Sequence, residues 1–436
     1  MPTDNLSQSA LTTPAPVTPV AATPPAPTSS APTSSAPTPP APATPVIPST
    51  VPVTPAILAQ RLQRDRSTPN RRLSEQAPHR PVMVDRVVEL LRPALSHPGA
   101  VFVDATLGAG GHSQAILTAA RQARLIGIDR DEQALALASK RLKAFADRVQ
   151  LVHGNFADLT KALGTTPVDA VLFDLGLSSM QIDQPERGFA YALDAELDMR
   201  MDRRQDFSAA ELLASASLDE LTRILRTYGE EPNARRIAAA IVRHRQNQPI
   251  RRTGELVDLV RQAIPAPAKR HGGNPAKRTF QALRMAVNQE LSALQSALPA
   301  ALQQLAPGGR LIVLSYHSGE DRIAKRIIKT AATPVWLPDL PVEPPVPALR
   351  WLTRGGERPC AAELDGNPRS ASARLRAVER TLGHLVIDTA AASRRTTPIL
   401  DLPCLAPDLH EYTQAPETAD PILTAPTNQP ADWSNQ

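Results

Sequence analysis

The sequence predicts an α/β protein: a parallel sheet with helices on both faces and a helical segment inserted late in the strand order. Three observations predict it. Short apolar runs end in aspartates at Asp104, Asp129 and Asp174, with helix-like stretches between them. A glycine cluster, Gly108, Gly110 and Gly111, follows the first run and leads into a helix-like segment from Ser113. The strand-like run at 310–315 comes more than 130 residues after the run ending at Asp174, which is room for an insertion.

Taken in order, the chain opens on a stretch unlike the rest. Of its 45 prolines, 16 fall in the first 55 residues, and Asp4 is the only charged side chain before Arg61. Proline deletes backbone donors and no apolar period is present, so 1–76 is predicted to be a disordered or polyproline-like tail. It lacks the basic start and apolar core of a secretory signal. No apolar run approaches the roughly 20 residues that span a bilayer. A second Pro-, Thr- and Ala-rich stretch predicts another disordered tail at 390–436. Two isolated cysteines, Cys360 and Cys404, are too few for a disulfide framework or a zinc site. A cytoplasmic protein without a metal is the expectation.

Between the tails, Val84, Val87, Val88 and Leu91 recur at helical spacing and predict an amphipathic helix ahead of the sheet. Strands are predicted at 101–104, 125–129, 149–152 and 168–174, with a helix over 131–145, and a fifth strand at 310–315. The sheet domain thus comprises 77–183 and 299–389, and the insert 184–298. Within the insert, Ser208 with Glu211 and Ser217 with Glu220 fit capping boxes, each opening an apolar-periodic helix. Further helices are predicted near 233–246, 254–263 and 277–297.

The formal net charge of +5 is modest, but its distribution is not. Between Arg235 and Arg284 stand twelve Lys or Arg and two acids, Glu255 and Asp258. Such a surplus predicts contact with a polyanion, RNA or DNA, through Arg243, Arg245, Lys269, Arg270, Lys277 and Arg278.

Ligands of open α/β sheets sit beyond the carboxyl ends of the strands. There Asp129, 19 residues after Gly110, can accept hydrogen bonds from both hydroxyls of a ribose. Phe156, after the third strand, is either an adenine platform or an ordinary core aromatic. Asp174 ends the fourth strand, close to where a transferred group would lie, and a polar loop, Gln181-Ile-Asp-Gln-Pro-Glu-Arg-Gly-Phe189, follows. The turn departs from Gly-x-Gly-x-x-Gly because position 113 is Ser113, and no second nucleotide-binding half is visible. Both points count against a dehydrogenase. S-adenosylmethionine, which needs a ribose carboxylate and close backbone approach but no pyrophosphate site, suits the pattern better.

These motifs resemble a known family. Gly108-Ala-Gly-Gly-His-Ser113, Asp174-Leu-Gly-Leu-Ser-Ser179, Pro185-Glu-Arg-Gly-Phe189 and Leu197-Asp-Met-Arg-Met-Asp202 are similar to the MraW/RsmH family of bacterial RNA methyltransferases. So are Tyr228-Gly-Glu-Glu231, Arg278-Thr-Phe-Gln-Ala-Leu-Arg284, Ala286-Val-Asn-Gln-Glu-Leu291 and His317-Ser-Gly-Glu-Asp-Arg322, and the similarity runs in order from about His79 to Arg380. The resemblance implies a class I, Rossmann-like methyltransferase sheet with an inserted helical RNA-recognition domain. It implies methyl transfer from S-adenosylmethionine to the exocyclic N4 of a cytidine in small-subunit (16S) ribosomal RNA, near the decoding centre. The partner would be that rRNA or the assembled small subunit, with neither membrane nor DNA expected. Carried over by position, Gly110, Gly111 and His112 would meet the methionine end of the cofactor, Asp129 the ribose and Phe156 the adenine. Asp174 and Gln181 would complete the pocket. No catalytic base is assigned; Asp174 is the best candidate for orienting the target amine. Met180 and Gly319 depart from the family's usual Pro and Leu, and neither removes a proposed contact. Two other classes compete. A small-molecule methyltransferase would leave the basic insert unexplained, and a non-catalytic RNA-binding assembly factor would leave the pocket idle.

Overall fold

The apolar runs pair into one seven-stranded sheet. The computed structural model describes residues 80–265, 274–334, 345–385 and 387. The predicted tails, and Lys269 with Arg270, lie outside the described residues. The strands are β1 (Val101–Asp104), β2 (Arg124–Asp129), β3 (Val149–His153), β4 (Val168–Asp174), β5 (Leu305–Ser315), β6 (Leu349–Trp351) and β7 (Arg374–Arg380). Their order is β3-β2-β1-β4-β5-β7-β6. The first five are parallel, whereas β7 runs antiparallel to β5 and β6 antiparallel to β7. The strand order reverses between β1 and β4, and that switch point opens the crevice where such sheets bind ligands.

Successive strand residues point to opposite faces, and here both faces are covered. Phe102, Ala170, Leu172, Ile312 and Leu314 turn to one core, under α1 (Val84–Leu91), α2 (Gly111–Ala119) and α3 (Glu132–Arg141). Val103, Val171, Phe173, Leu311 and Val313 turn to the other. That second core continues through α4 (Leu159–Leu163), the helices between β4 and β5, and α12 (Ser318–Ala332).

After the one-turn α5 (Ser179–Asp183), the segment between β4 and β5 folds as α6 (Ala209–Ser215), α7 (Leu218–Gly229), α8 (Ala234–Arg245), α9 (Thr253–Ala263), α10 (Lys277–Val287) and α11 (Glu290–Gln304). The capping boxes at Ser208 and Ser217 are formed, each serine accepting from the backbone three residues on while the glutamate reaches back. Between β6 and β7 stands α13 (Ala361–Gly366).

Three boundaries differ from the sequence reading. The single helix expected at 277–297 is two, because Gln289 adopts φ 49° between α10 and α11. Asn288 pins that break from its side chain, donating to the Met199 carbonyl at 2.7 Å and accepting from the Met201 N–H at 2.8 Å. The helix expected over 131–145 ends at Arg141 and tightens into a 3-10 turn, Lys143–Arg148. The fifth strand starts at Leu305, which pairs with Val168, so the boundary drawn at 298 falls inside α11. Leu212, Leu225, Ile237, Leu256 and Leu283 of the inserted helices share one core with Val171 and Phe173 of the sheet.

Candidate active site

The glycine turn after β1 is built by two different demands. Gly108 has φ 53° and Gly110 φ 75°, a left-handed conformation that glycine adopts at no steric penalty. A Cβ at Gly108 would meet nothing closer than 4.0 Å, so the backbone there faces open space. At Gly111 a Cβ would lie 2.6 Å from Pro81 Cγ, and at Gly110 it would lie 3.3 Å from Leu142 Cδ1. These two glycines are required by packing of the turn against its surroundings.

Asp129, at the end of β2, ties the turn to the neighbouring strand. Its Oδ2 accepts from the Gly108 N–H at 2.7 Å and its Oδ1 from the Asp131 N–H at 2.8 Å. Burial raises its proton affinity, against those two amide bonds that lower it. A carboxylate offers about four lone-pair sites, so two remain for hydroxyl donors. Phe156 lies just past β3, half-buried, edge-on to Phe173 at 5.7 Å and with the Arg130 guanidinium 5.5 Å from its ring centre.

His112 is not exposed to the pocket as a loose ring. It is 5% accessible, and both nitrogens face acceptors. Nε2 donates to the Val82 carbonyl at 2.9 Å, and Nδ1 lies 3.4 Å from Asp174 Oδ2. Burial works against a charged ring, but the hydrogen bond and charge of Asp174, with the Val82 carbonyl, raise its proton affinity above the ordinary histidine value. Asp174 is held on its other side by Tyr316, whose hydroxyl donates to Oδ1 at 2.7 Å. Its own N–H donates to Thr106 Oγ1 at 2.6 Å. Burial, and then the charge of Asp174, push the Tyr316 phenol well above its usual range, so it stays a donor. Behind them, Asp104 is 1% accessible and accepts from the Ser113 hydroxyl at 2.6 Å. Burial pushes this carboxyl up to about 6, although the Ser113 bond and the nearby His112 pull it down.

Gln181, in α5 after β4, reaches the start of α3. Its amide donates to Asp131 Oδ2 at 2.9 Å and its Oε1 accepts from the Ser178 N–H at 3.1 Å, capping α5. The same Asp131 oxygen meets Arg187 at 3.0 Å, a guanidinium only 1% accessible. Arg187 also donates to the carbonyls of Arg200 and Met201, at 3.0 and 3.1 Å. One network thus joins the start of α3 to the loop after β4.

A fold that puts an open glycine turn, a ribose-type carboxylate and a doubly held Asp174 at one edge of the sheet has the parts of a methyl-donor pocket. The family model that matches residues 76–381 is that of the MraW methylase family. The chain belongs to that family. It is a methyltransferase acting on RNA, and its methyl donor is S-adenosylmethionine. A protein of Thermobifida fusca, "Ribosomal RNA small subunit methyltransferase H", is 57% identical over 320 residues, covering 72% of this chain and 97% of that one. A namesake from Acidothermus cellulolyticus is 58% identical over 308 residues, covering 69% and 93%. Another, from Mycolicibacterium gilvum, is 56% identical over 314 residues, covering 71% and 85%.

In this methylase, Asp129 and Gln181 are linked through Asp131 and His112 is paired with Asp174, while Gly110 and Gly111 pack the turn and Phe156 packs against Phe173. The basic residues do not converge. Lys277 and Arg278 stand exposed at the start of α10, and Arg243 is exposed on α8. Arg245 is committed to structure, donating to the Leu213 and Ala216 carbonyls, both at 2.6 Å, at the end of α6. Arg252 pairs with Asp194, and Arg284 grips Glu290 through two bonds of 2.8 and 2.9 Å. From sequence, Tyr316 stood among the ligand-side strand ends, in Ser315-Tyr-His317, and Arg187 in the motif Pro185-Glu-Arg-Gly-Phe189, but neither they nor Thr106 were given a role at the site. No helix among the described residues is long and apolar enough to cross a membrane.

Proposed function

We propose that this methyltransferase modifies the exocyclic N4 of one cytidine in small-subunit ribosomal RNA, near the decoding centre, and works in the cytoplasm. The observation that carries the reading is Asp174, fixed at the end of β4 by Tyr316 on one oxygen and His112 on the other. The bound donor supplies a sulfonium methyl group that is open to in-line displacement. The chain supplies orientation and charge. An exocyclic amine of cytosine is a poor nucleophile because its lone pair is delocalised into the ring, so it must be aligned and its protons accepted. Asp174 can take an amine hydrogen bond while Tyr316 and His112 keep both of its oxygens in place. Asp129 has lone pairs left for ribose hydroxyls, Gly108 permits close backbone approach, and Phe156 is the candidate to pack the adenine. Gly110 and Gly111 hold the turn, and Gln181 ties the segment after β4 to Asp131. Arg243, Lys277 and Arg278 offer positive charge to the RNA backbone, and Lys269 and Arg270 are further candidates from the sequence. The target base has to leave its stack, or be presented in an open loop, to reach the pocket.

The test is methyl transfer from labelled S-adenosylmethionine to small subunits, and to naked rRNA, from cells lacking this enzyme. Label in N4-methylcytidine at one site is the expected result. Cofactor binding with no label on either acceptor would overturn the assignment of substrate.

A further inference from the structure

A cleft of about 430 Å³ opens between the end of α7, one face of α10 and the start of α12. Tyr228, Glu230, Lys277, Arg278, Gln281 and His317 wall it. Its volume falls within the roughly 300–1,000 Å³ of small-molecule sites. It is distinct from the pocket at the strand ends, since Asp129, Asp174 and Gln181 are not in its wall. Yet the two adjoin through consecutive residues. Tyr316 donates to Asp174, and His317, next in the chain, lines the cleft. Glu320, 2% accessible, accepts from the N–H groups of both residues at 2.8 and 3.3 Å, so their relative placement is rigid.

The chemistry of the walls favours a nucleotide. Lys277 and Arg278 are exposed at the first turn of an 11-residue helix, where the helix dipole adds to their positive charge. The one acid in the wall, Glu230, is met by the Ser318 hydroxyl and by Arg322 at 3.6 Å. The mouth therefore favours a phosphate. Met285 and Leu291 supply apolar side chains to the same wall, beside Gln281, Tyr228 and His317. A wall that sets aromatic and apolar side chains beside an amide suits a nucleobase, whose face stacks on aromatic side chains.

Resting on the RNA-methyltransferase reading above, we infer that this cleft holds the nucleotide immediately flanking the methylated cytidine, with Lys277 and Arg278 on its phosphate. The cytidine itself cannot be the occupant, because its amine must reach Asp174, outside the cleft. Anchoring the neighbour on one side of Tyr316 presents the target on the other.

Two measurements on the full chain test this. With p-benzoylphenylalanine in place of Lys277, irradiation on unmethylated small subunits is expected to give an adduct within one nucleotide of the cytidine that the same preparation methylates. Adducts confined to distant nucleotides would overturn the assignment. The double variant Lys277→Glu, Arg278→Glu is expected to raise the KM for the subunit about tenfold, with cofactor affinity unchanged. An unchanged KM would overturn it as well. Methylation of the expected cytidine with adducts elsewhere removes the cleft alone. Failure to methylate any cytidine removes the functional reading, and the cleft assignment falls with it.

Discussion

His112 and Asp174 are a coupled pair, and their chemistry makes a directional prediction. A histidine whose folded proton affinity is raised gains stability from its charged form, fully present below the ordinary value near 6.5 and lost as pH climbs through the raised one. Alkaline pH should therefore loosen Asp174. His112→Gln, which cannot carry the charge, is expected to lower kcat by about 10²-fold through misplacement of Asp174. It should also flatten the alkaline limb of the single-turnover pH profile. A variant that keeps the wild-type limb would remove His112 from the account. Asp104 predicts a dependence of the same sign in a lower pH window. Its carboxyl rises from 3.8 to about 6 in the folded chain, so the native state holds more protons than the unfolded one between those values. Stability then falls as pH rises through that window. At about 1.4 kcal/mol per tenfold change in proton affinity, the wild type should lose roughly 2 kcal/mol between pH 4 and pH 6 that Asp104→Asn does not. Urea unfolding of both chains at pH 4 and pH 6 measures the difference, and parallel behaviour would refute it.

At the scale of elements, the glycine turn separates binding from packing. Gly108→Ala places a side chain at φ 53° without a clash, so a strain of about 1–2 kcal/mol is expected, together with weaker cofactor binding by calorimetry. Gly111→Ala drives a methyl into Pro81 and should cost about 1–3 kcal/mol in thermal unfolding. If Gly111→Ala weakened cofactor binding as much as Gly108→Ala, the division would be wrong. The two arginines of α8 divide in the same way. Arg245→Ala strips two carbonyls at the end of α6 of a charged donor and should destabilise by about 1.5–3 kcal/mol, whereas Arg243→Ala should leave the melting temperature in place. Both were candidates for RNA from sequence, and nothing in composition distinguishes a guanidinium that caps a helix from one that faces solvent. Packing of α8 against α6 makes that distinction.

Across the whole molecule, the inserted helices and the sheet are one hydrophobic body. Replacing 184–298 by a short linker would expose Val171, Phe173 and Leu311, which are 0% accessible in the intact chain, and would cut through α11. The shortened chain is expected to be insoluble or to lack a cooperative thermal transition. A soluble, cooperatively unfolding product would show two separable domains.

How much of this was legible follows from where the forces act. Apolar runs ending at Asp104, Asp129 and Asp174 announce strands because alternation and chain period are local properties, and so the sheet and its ligand edge could be read from the sequence. Capping boxes at Ser208 and Ser217 were legible for the same reason: donor and acceptor lie three residues apart. The contacts of His112 could not be read, since Val82 is 30 residues before it and Asp174 62 residues after it. Neither could the link from Tyr316 to Asp174, across 142 residues. The break at Gln289 depends on a loop that reaches Asn288 from Met199 and Met201. Charge counting suffered most, because an arginine's partner is chosen by the fold: Arg252 and Arg284 belong to Asp194 and Glu290, and the exposed cations that remain at α10 stand over a cleft that no local pattern records. Local pattern suffices for elements and for the edge they share, while side-chain partnership across distant segments exists only once the sheet and helices have brought them into contact.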